Sequence, residues 1–157
     1  MKKITSTLFI ASSLLIASAS YAGGKNSADV EFLNSKPSNA ALPFSEIVRV
    51  DNTLYLSGQI GFDPKTGKLA EGGFKGEAQQ TMANIKNTLE KHGYSMKDVV
   101  KCMVMLTDMK DFKAFNQIYT QYFSAPYPAR SAFAAAQLAL NSKVEVECMA
   151  VATKAKG

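Results

Sequence analysis

The chain of 157 residues has few of the residue types from which many enzymes build their active sites. It contains one histidine, His92, and two cysteines, Cys102 and Cys148, which are too few and too widely spaced for a metal site. His92 adjoins Gly93 at a predicted helix end, which favours a capping or surface role over general-base catalysis. No Gly-Lys-Ser phosphate-binding loop is present. Arginine and carboxylate side chains therefore remain as the candidates for chemistry.

Arginine is also scarce, because the chain has sixteen lysines but only two arginines, Arg49 and Arg130. The lysines are scattered, which is typical of a solvated surface and argues against a nucleic-acid-binding patch or ribonuclease activity. An arginine kept in so lysine-rich a sequence indicates a use for its planar fork, which holds a carboxylate through two parallel hydrogen bonds. We therefore predict that Arg130 recognises a small carboxylic acid.

A carboxylate follows Arg130 at a short distance along the chain. Arg130 lies in the segment Tyr-Pro-Ala-Arg-Ser at residues 127–131, and Glu145 follows fifteen residues later in the segment Lys-Val-Glu-Val-Glu. The alternative to ligand recognition is that Arg130 only pairs with Glu145 or Glu147 across a sheet. Both interpretations stay open from these residues alone.

The N-terminus has the pattern of a Sec-type signal peptide. A basic head with Lys2 and Lys3 precedes an uncharged run at residues 4–19, and small residues lead to Ala22. We predict cleavage after Ala22 and a periplasmic or secreted protein. The alternative, a membrane anchor, is disfavoured because the run contains several Ser and Thr and is short of about twenty strongly apolar residues.

The rest of the chain indicates one domain. After residues 1–22 are removed, the formal net charge falls from +5 to +3, and no later segment is long and apolar enough to span a bilayer. Residues 23–38 are polar and are predicted to be a flexible lead-in, and residues 39–157 to be the folded domain. We expect the mature protein to have no membrane association.

The two cysteines have two possible states. In an exported chain they meet conditions in which disulfides form. Cys102 and Cys148 each lie in the middle of a predicted strand among apolar neighbours, where a free cysteine also behaves as a small buried hydrophobe. Adjacent strands accept a disulfide only at particular pair positions, so the sequence leaves both states open.

The hydrophobic pattern predicts the order β-β-α-β-α-β-β. Asp51-Asn52 joins the first two strands as a hairpin turn, and Asp108 is predicted to cap the second helix, which Pro126 ends. Ala78, Met82, Ile85 and Leu89 mark the buried face of the first helix, and Phe112, Phe115, Tyr119 and Tyr122 that of the second. The strands are predicted at residues 44–50, 53–60, 99–107, 130–136 and 143–152, and the first helix at residues 76–92.

This order predicts an α/β fold with one mixed sheet and both helices on one face, because right-handed crossovers place them on the same side. The third strand is nevertheless apolar on both faces, with Cys102, Val104 and Leu106 on one side and Met103 and Met105 on the other. Since no third helix is predicted to cover the second face, a closed homo-oligomer is the economical solution.

Several segments together are similar to the Rid family of reactive intermediate deaminases, also called YjgF. They are Asn-Ala-Ala-Leu-Pro-Phe-Ser at residues 39–45, Leu-Ser-Gly-Gln-Ile-Gly at 56–61, Asp111-Phe112 to Asn116, and the two segments around Arg130 and Glu145. The resemblance implies a chorismate-mutase-like two-layer fold and a homotrimer with ligand sites between subunits. It also implies hydrolysis of 2-imino and enamine acids, such as 2-aminoacrylate, to 2-oxo acids and ammonia without a metal or cofactor.

The same resemblance implies roles for individual residues. Arg130 would hold the substrate carboxylate, and Glu145 would position the attacking water. Gly58 would let the backbone approach the ligand, and Asn116 would offer an amide at the cleft wall; the alternatives are a packing glycine and a helix-surface amide.

Three further residues complete the implied substrate pocket. They are Phe44, Ser131 and Ala132. Phe44 stands where deaminases of this family usually have a tyrosine, and Ala132 where they often have a cysteine. Two other functions therefore stay open, namely a non-catalytic binder of small 2-oxo or amino acids and a holdase-type interaction protein.

Overall fold

The structure is a computed structural model that describes residues 27–35 and 43–152. The predicted signal peptide with its cleavage site and residues 39–42 of the family pattern lie outside the described residues. Within the described ranges, no helix is long and apolar enough to cross a membrane.

The element order confirms the predicted β-β-α-β-α-β-β core and adds a strand before it and a short hairpin before the first helix. Two helices, α1 (Gly73–Lys91) and α2 (Phe112–Tyr122), separate the strands. The strands are β1 (Val30–Leu33), β2 (Ile47–Val50), β3 (Thr53–Leu56), β4 (Gln59–Ile60), β5 (Phe62–Asp63), β6 (Lys68–Leu69), β7 (Val99–Leu106), β8 (Ala129–Ala134) and β9 (Val144–Val151).

The main sheet is mixed, as predicted. Its order is β1-β2-β3-β9-β7-β8, with β4 also pairing with β9, and every pair is antiparallel except β7 with β8. Helix α2 makes the crossover that a parallel β7–β8 pair requires. The short hairpin β5–β6 lies outside the main sheet.

Both helices cover the same face of the sheet, which we call the helix face. The apolar residues of α1 and α2 form one buried cluster with alternate residues of β3, β7 and β9. Members of this cluster include Leu54, Met82, Ile85, Leu89, Val104, Leu106, Phe115, Val144 and Val146. The two-layer architecture follows from this one-sided core.

Several boundaries differ from the prediction, and the first predicted strand starts at Ile47 instead of residue 44. Residues 30–33, predicted to be part of a flexible lead-in, form the edge strand β1, because Val30 and Phe32 supply the alternation that pairs with β2. The predicted strand 53–60 is broken at Ser57 and Gly58 into β3 and β4. Helix α1 starts at Gly73, and Asp108 caps a 3₁₀ turn at Met109–Asp111 instead of α2 itself.

The two cysteines are joined in a disulfide. Cys102 on β7 and Cys148 on β9 are directly opposite in the antiparallel register, and their sulfurs are 2.02 Å apart. Both side chains are buried on the helix face. Of the two states that the sequence leaves open, the structure therefore has the bridge.

The second face of the sheet, which we call the open face, is apolar and largely uncovered in the single chain. Met103 and Met105 lie on it, as predicted, and are only partly buried. Phe32, Tyr55 and Phe133 share this face and are 70%, 46% and 44% exposed. Apolar side chains that stay exposed across several neighbouring strands indicate a surface for association.

Candidate functional site

Arg130 lies on the edge strand β8 and points to the helix face. In the parallel register it is opposite Cys102, whose side chain belongs to the buried core. Its Nη2 atom donates a hydrogen bond of 2.6 Å to Oδ1 of Asn116 on α2. The predicted amide at position 116 is thus a direct partner of the arginine and is only partly exposed.

Three aromatic rings of α2 surround the Arg130 guanidinium. Its Cζ atom lies 4.7 Å from the ring centroid of Tyr119, 5.4 Å from that of Phe112 and 5.9 Å from that of Phe115. With Asn116, these residues occupy positions i, i+3, i+4 and i+7 of one helical stripe. We call Arg130, Asn116 and these three rings the arginine half-site.

The charge of Arg130 is not neutralised by any residue that the structure describes. Within the described residues, none of the salt bridges involves Arg130, so it pairs with neither Glu145 nor Glu147. Arg49 differs, because its Nη2 atom lies 2.9 Å from Asp29 and 2.8 Å from Glu31. Among the described residues of the single chain, the alternative of an ion pair with Glu145 or Glu147 is therefore wrong, and the Arg130 cation is available to an anionic ligand.

Glu145 lies on β9, opposite Met105 on one side and Ile60 on the other. Gly58, at the break between β3 and β4, lies directly against it, and a Cβ atom at this position would collide with Oε1 of Glu145. A side chain at position 58 would therefore displace the flexible Glu145 carboxylate, whereas glycine leaves it in place. We call Glu145 and Gly58 the glutamate half-site.

Burial raises the pKa of the Glu145 carboxyl above its ordinary value, and the negative charge of Glu147 raises it further. Both effects disfavour the ionised form. A carboxylate held in this way is a stronger base than a fully solvated one, which suits it to take a proton from water near neutral pH.

The two half-sites lie on opposite faces of the sheet. Directly opposed residues on neighbouring strands share a face, so Arg130 shares a face with Cys102, and Glu145 shares a face with Met105. Cys102 and Met105 are three residues apart on β7 and therefore point to opposite sides. A single chain does not bring Arg130 and Glu145 together.

The remaining predicted pocket residues are divided between the two faces. Ala132 lies on the helix face with Arg130 and packs against the core. Ser131 lies on the open face opposite Met103. Phe44 precedes β2 and is 57% exposed. Neither Ser131 nor Phe44 contributes to the arginine half-site of the same chain.

His92 occupies the predicted capping position at the C-terminal end of α1. Its Nε2 atom lies 2.9 Å from Oε2 of Glu46, and its side chain is largely buried instead of lying on the surface. The Glu46 pKa is lowered: burial opposes this, but the hydrogen bonds from Ser35 and His92 outweigh it. His92 is thus a capping residue that pairs with Glu46.

Sequence reasoning placed Phe112, Phe115 and Tyr119 in the core and did not connect them with Arg130. One feature of the sequence could have predicted this contact, namely the polar residue Asn116 within their apolar stripe. An amide among inward-facing rings requires a polar partner. Arg130 is that partner.

Two cavities of the described residues lie away from both half-sites, because neither is lined by Arg130 or Glu145. The larger, of about 600 Å³, lies between the C-terminal ends of α1 and α2, and the smaller, of about 330 Å³, lies beside Arg49 and His92. No group of histidine, cysteine and acidic residues within the described ranges has metal-binding geometry.

Comparison with known proteins gives consistent matches. The profile of the family described as Endoribonuclease L-PSP matches residues 34–152. Human 2-iminobutanoate/2-iminopropanoate deaminase is 43% identical over 117 residues, which are 74% of this chain and 85% of the human protein. The chloroplastic Reactive Intermediate Deaminase A of Arabidopsis thaliana is 38% identical over 145 residues, which are 92% of this chain and 78% of that protein.

A solved structure has the same fold and contains a small amino acid. The crystal structure of E. coli TdcF with bound serine matches with a TM-score of 0.69 and 30% sequence identity. The match covers 78% of this chain and 98% of TdcF.

Proposed function

Because the chain belongs to the Rid family, whose profile is described as Endoribonuclease L-PSP, we propose that it hydrolyses 2-imino acids and their enamine tautomers to 2-oxo acids and ammonia. The names of the human and Arabidopsis relatives support this activity. The observation that carries the proposal is the unneutralised Arg130, held by Asn116 and three aromatic rings.

In the proposed reaction, Arg130 binds the substrate carboxylate through its free N–H groups. Water adds to the imine carbon as the C=N electron pair moves to nitrogen, which is protonated. The carbinolamine then loses ammonia as the C–N bond breaks and the C=O bond forms. Glu145 accepts the first proton of the attacking water and passes it to the imine nitrogen as the carbinolamine forms. It then accepts the proton of the carbinolamine hydroxyl and passes it to the departing amino group. Both water protons leave with ammonia, so the reaction needs no oxidant or reductant.

The proposed site is formed between subunits of a homotrimer. Arg130 and Glu145 lie on opposite faces of one sheet, so a single chain cannot present both to one substrate. The apolar open face, with Tyr55, Met105 and Phe133, provides a surface for packing against other copies. Cyclic association would bring the glutamate half-site of one copy to the arginine half-site of its neighbour.

Subunit complementation tests this arrangement directly. Arg130→Ala and Glu145→Ala chains are each expected to be inactive as pure trimers. When equal amounts are refolded together, about a quarter of the sites in random trimers should combine an intact Arg130 with an intact Glu145. Hydrolysis is measured as loss of imine, generated by an amino-acid oxidase and trapped with semicarbazide. Activity that does not recover in mixed trimers would contradict an intersubunit site.

The mature protein is proposed to work outside the cytoplasm, in the periplasm or as a secreted protein. The signal-like N-terminus and the buried Cys102–Cys148 disulfide support this, because disulfides persist in oxidising compartments. Intact-mass measurement of periplasmic extract should find a chain that begins at Gly23. Only full-length, reduced protein in the cytoplasm would contradict export.

A second candidate function is non-catalytic binding of a small 2-oxo or amino acid. The serine bound to TdcF favours it, as do Phe44 and Ala132, which replace a hydroxyl and a thiol in the predicted pocket. Binding of 2-oxobutyrate without hydrolysis in the trapping assay would select this candidate. The holdase alternative predicts protection of an unfolding client that Arg130→Ala does not change.

A further inference from the structure

Tyr119 contacts Arg130 more closely than the other two rings of the arginine half-site do. Its ring centroid is 4.7 Å from Cζ of the guanidinium, a distance typical of a cation–π contact. Tyr119 is only 3% exposed, so the contact is shielded from water, which strengthens the attraction between the cation and the ring face.

The hydroxyl of Tyr119 has no hydrogen-bond partner among the described residues, although it is buried. A buried hydroxyl without a partner is destabilising, because the group loses its hydrogen bonds to water and gains none in return. A hydrogen bond within the protein therefore does not explain the tyrosine, whereas its electron-rich ring beneath a cation does.

The remaining contacts fix the other degrees of freedom of the guanidinium. Asn116 holds one edge through its 2.6 Å hydrogen bond to Nη2, which leaves the other N–H groups available. A ring that covers one face and an amide that fixes one edge together set the plane and the rotation of the fork. Two-point binding of a carboxylate requires that orientation.

We propose that Tyr119 is a positioning residue that orients the Arg130 guanidinium for a small carboxylate through its ring and not through its hydroxyl. This role, which rests on the proposed binding of a small acid at Arg130, belongs to α2, whereas the proposed base belongs to β9 of another copy. Tyr119 should therefore influence affinity for the acid and have little influence on the proton-transfer step.

The test compares Tyr119→Leu, which removes the ring, with Tyr119→Phe, which keeps it. Tyr119→Leu is expected to raise the Kd for 2-oxobutyrate and the KM for the imine by about 3- to 30-fold, the range for a shielded cation–π contact, with kcat changed less than twofold. Tyr119→Phe should have the wild-type Kd and KM, because it keeps the ring. It should melt at or above the wild-type temperature, because it removes an unpartnered hydroxyl.

Tyr122→Phe is the matched control on the same helix. The Tyr122 hydroxyl donates a 3.1 Å hydrogen bond to the Gln79 carbonyl, and its ring is not among those around Arg130. Tyr122→Phe should lower the melting temperature without changing the Kd for 2-oxobutyrate. This control separates an effect on Arg130 from a general weakening of α2.

A measurement on Arg130 itself keeps the inference testable if the protein binds no small acid. Because the chain has only two arginines, NMR of arginine-labelled protein gives two guanidinium signals, and Arg49 serves as an internal reference. Tyr119→Leu should speed rotation about the Nε–Cζ bond of Arg130 and leave Arg49 unchanged, whereas Tyr119→Phe should alter neither.

Either of two results would overturn the proposal. One is that Tyr119→Leu leaves the Arg130 rotation rate and the Kd at wild-type values. The other is that Tyr119→Phe weakens binding as much as Tyr119→Leu does, which would assign the role to the hydroxyl. A failure of the proposed function alone would appear differently, as wild-type protein that binds no 2-oxo acid but still shows the ring-dependent rotation of Arg130.

Discussion

The two faces of the sheet differ in how far a single chain completes them. On the helix face, α1 and α2 bury alternate residues of β3, β7 and β9, the disulfide joins β7 to β9, and Arg130 is held by Asn116 and three rings. On the open face, Glu145 is only half-buried and the neighbouring methionines remain accessible. The chain itself thus orients the binding group, whereas the proposed base needs a second copy to complete its surroundings.

The two arginines also differ in how far the single chain satisfies them. Arg49 is neutralised by Asp29 and Glu31 on the neighbouring strand and loop, and such a pair holds the edge strand β1 to β2. Arg130 is fixed by groups that carry no net charge. A cation held only by neutral groups keeps its electrostatic attraction for an anion, which is the physical basis for proposing that Arg130 binds a carboxylate and Arg49 does not.

The largest expected effect is on the open face. Glu145→Gln keeps the shape of the side chain and removes the base, so hydrolysis should fall by about 10²- to 10⁴-fold. Affinity for 2-oxobutyrate should change much less, because the carboxylate is bound at Arg130. The trapping assay and calorimetric titration of the same variant measure the two quantities. Equal losses of both would contradict the separation of roles between the two faces.

The next effect concerns the helix face. The disulfide closes a sequence separation of 46 residues, so its loss in Cys102→Ala/Cys148→Ala should lower the free energy of unfolding by about 4 kcal/mol in the chain-entropy model. Urea denaturation of the variant and of wild type, with and without reductant, measures this difference. Reductant should have no effect on the variant, which serves as the control. An unfolding free energy unchanged in both comparisons would contradict a structural role for the bridge.

A smaller effect is expected when the fork of Arg130 is removed but its charge is kept. Arg130→Lys should weaken binding of 2-oxobutyrate by about 1–3 kcal/mol, because an ammonium cannot make the same two parallel hydrogen bonds. Arg49→Lys is the matched control and should leave ligand affinity unchanged. Thermal melts with and without 2-oxobutyrate report the difference, and wild-type binding by Arg130→Lys would refute the carboxylate clamp.

The smallest effect is a shift in pH dependence on the open face. Burial is the main cause of the raised Glu145 pKa, and the negative charge of Glu147 raises it further. Glu147→Gln should therefore lower the Glu145 pKa. Hydrolysis needs the ionised carboxylate, so the acid limb of the kcat/KM profile should move to lower pH. A profile that stays in place or moves to higher pH would show that Glu147 does not act on Glu145.

The same shift has a consequence for stability. The pKa of Glu145 is higher in the folded state than in the unfolded state, so protonation of this carboxyl favours folding. This contribution to stability is complete below the unfolded-state pKa and is lost as pH rises through the folded-state pKa. Glu147→Gln should reduce this loss, so its stability relative to wild type should improve between acid and neutral pH. Melting temperatures across this pH range provide the check.

The sequence by itself determined the core of the fold. Alternation in the strands and the 3.6-residue period of Ala78, Met82, Ile85 and Leu89 are local patterns, and they predicted the element order and the one-sided sheet. The uncovered second face was also predictable, since Met103 and Met105 are apolar at positions for which no helix was available. Arg130 and Glu145 were predicted as site residues because their residue types and segments are distinctive.

Only the tertiary structure decided how these residues are arranged in space. Strand register placed Cys102 opposite Cys148 and put Arg130 and Glu145 on different faces, and register depends on pairing between segments far apart in the chain. Tertiary packing also placed Asn116 and the ring of Tyr119 next to Arg130, and the Glu145 carboxylate next to Gly58. Apart from the polar Asn116 within an apolar stripe, local patterns carry no information on such contacts, because the contacts form only when the crossover packs α2 onto the sheet.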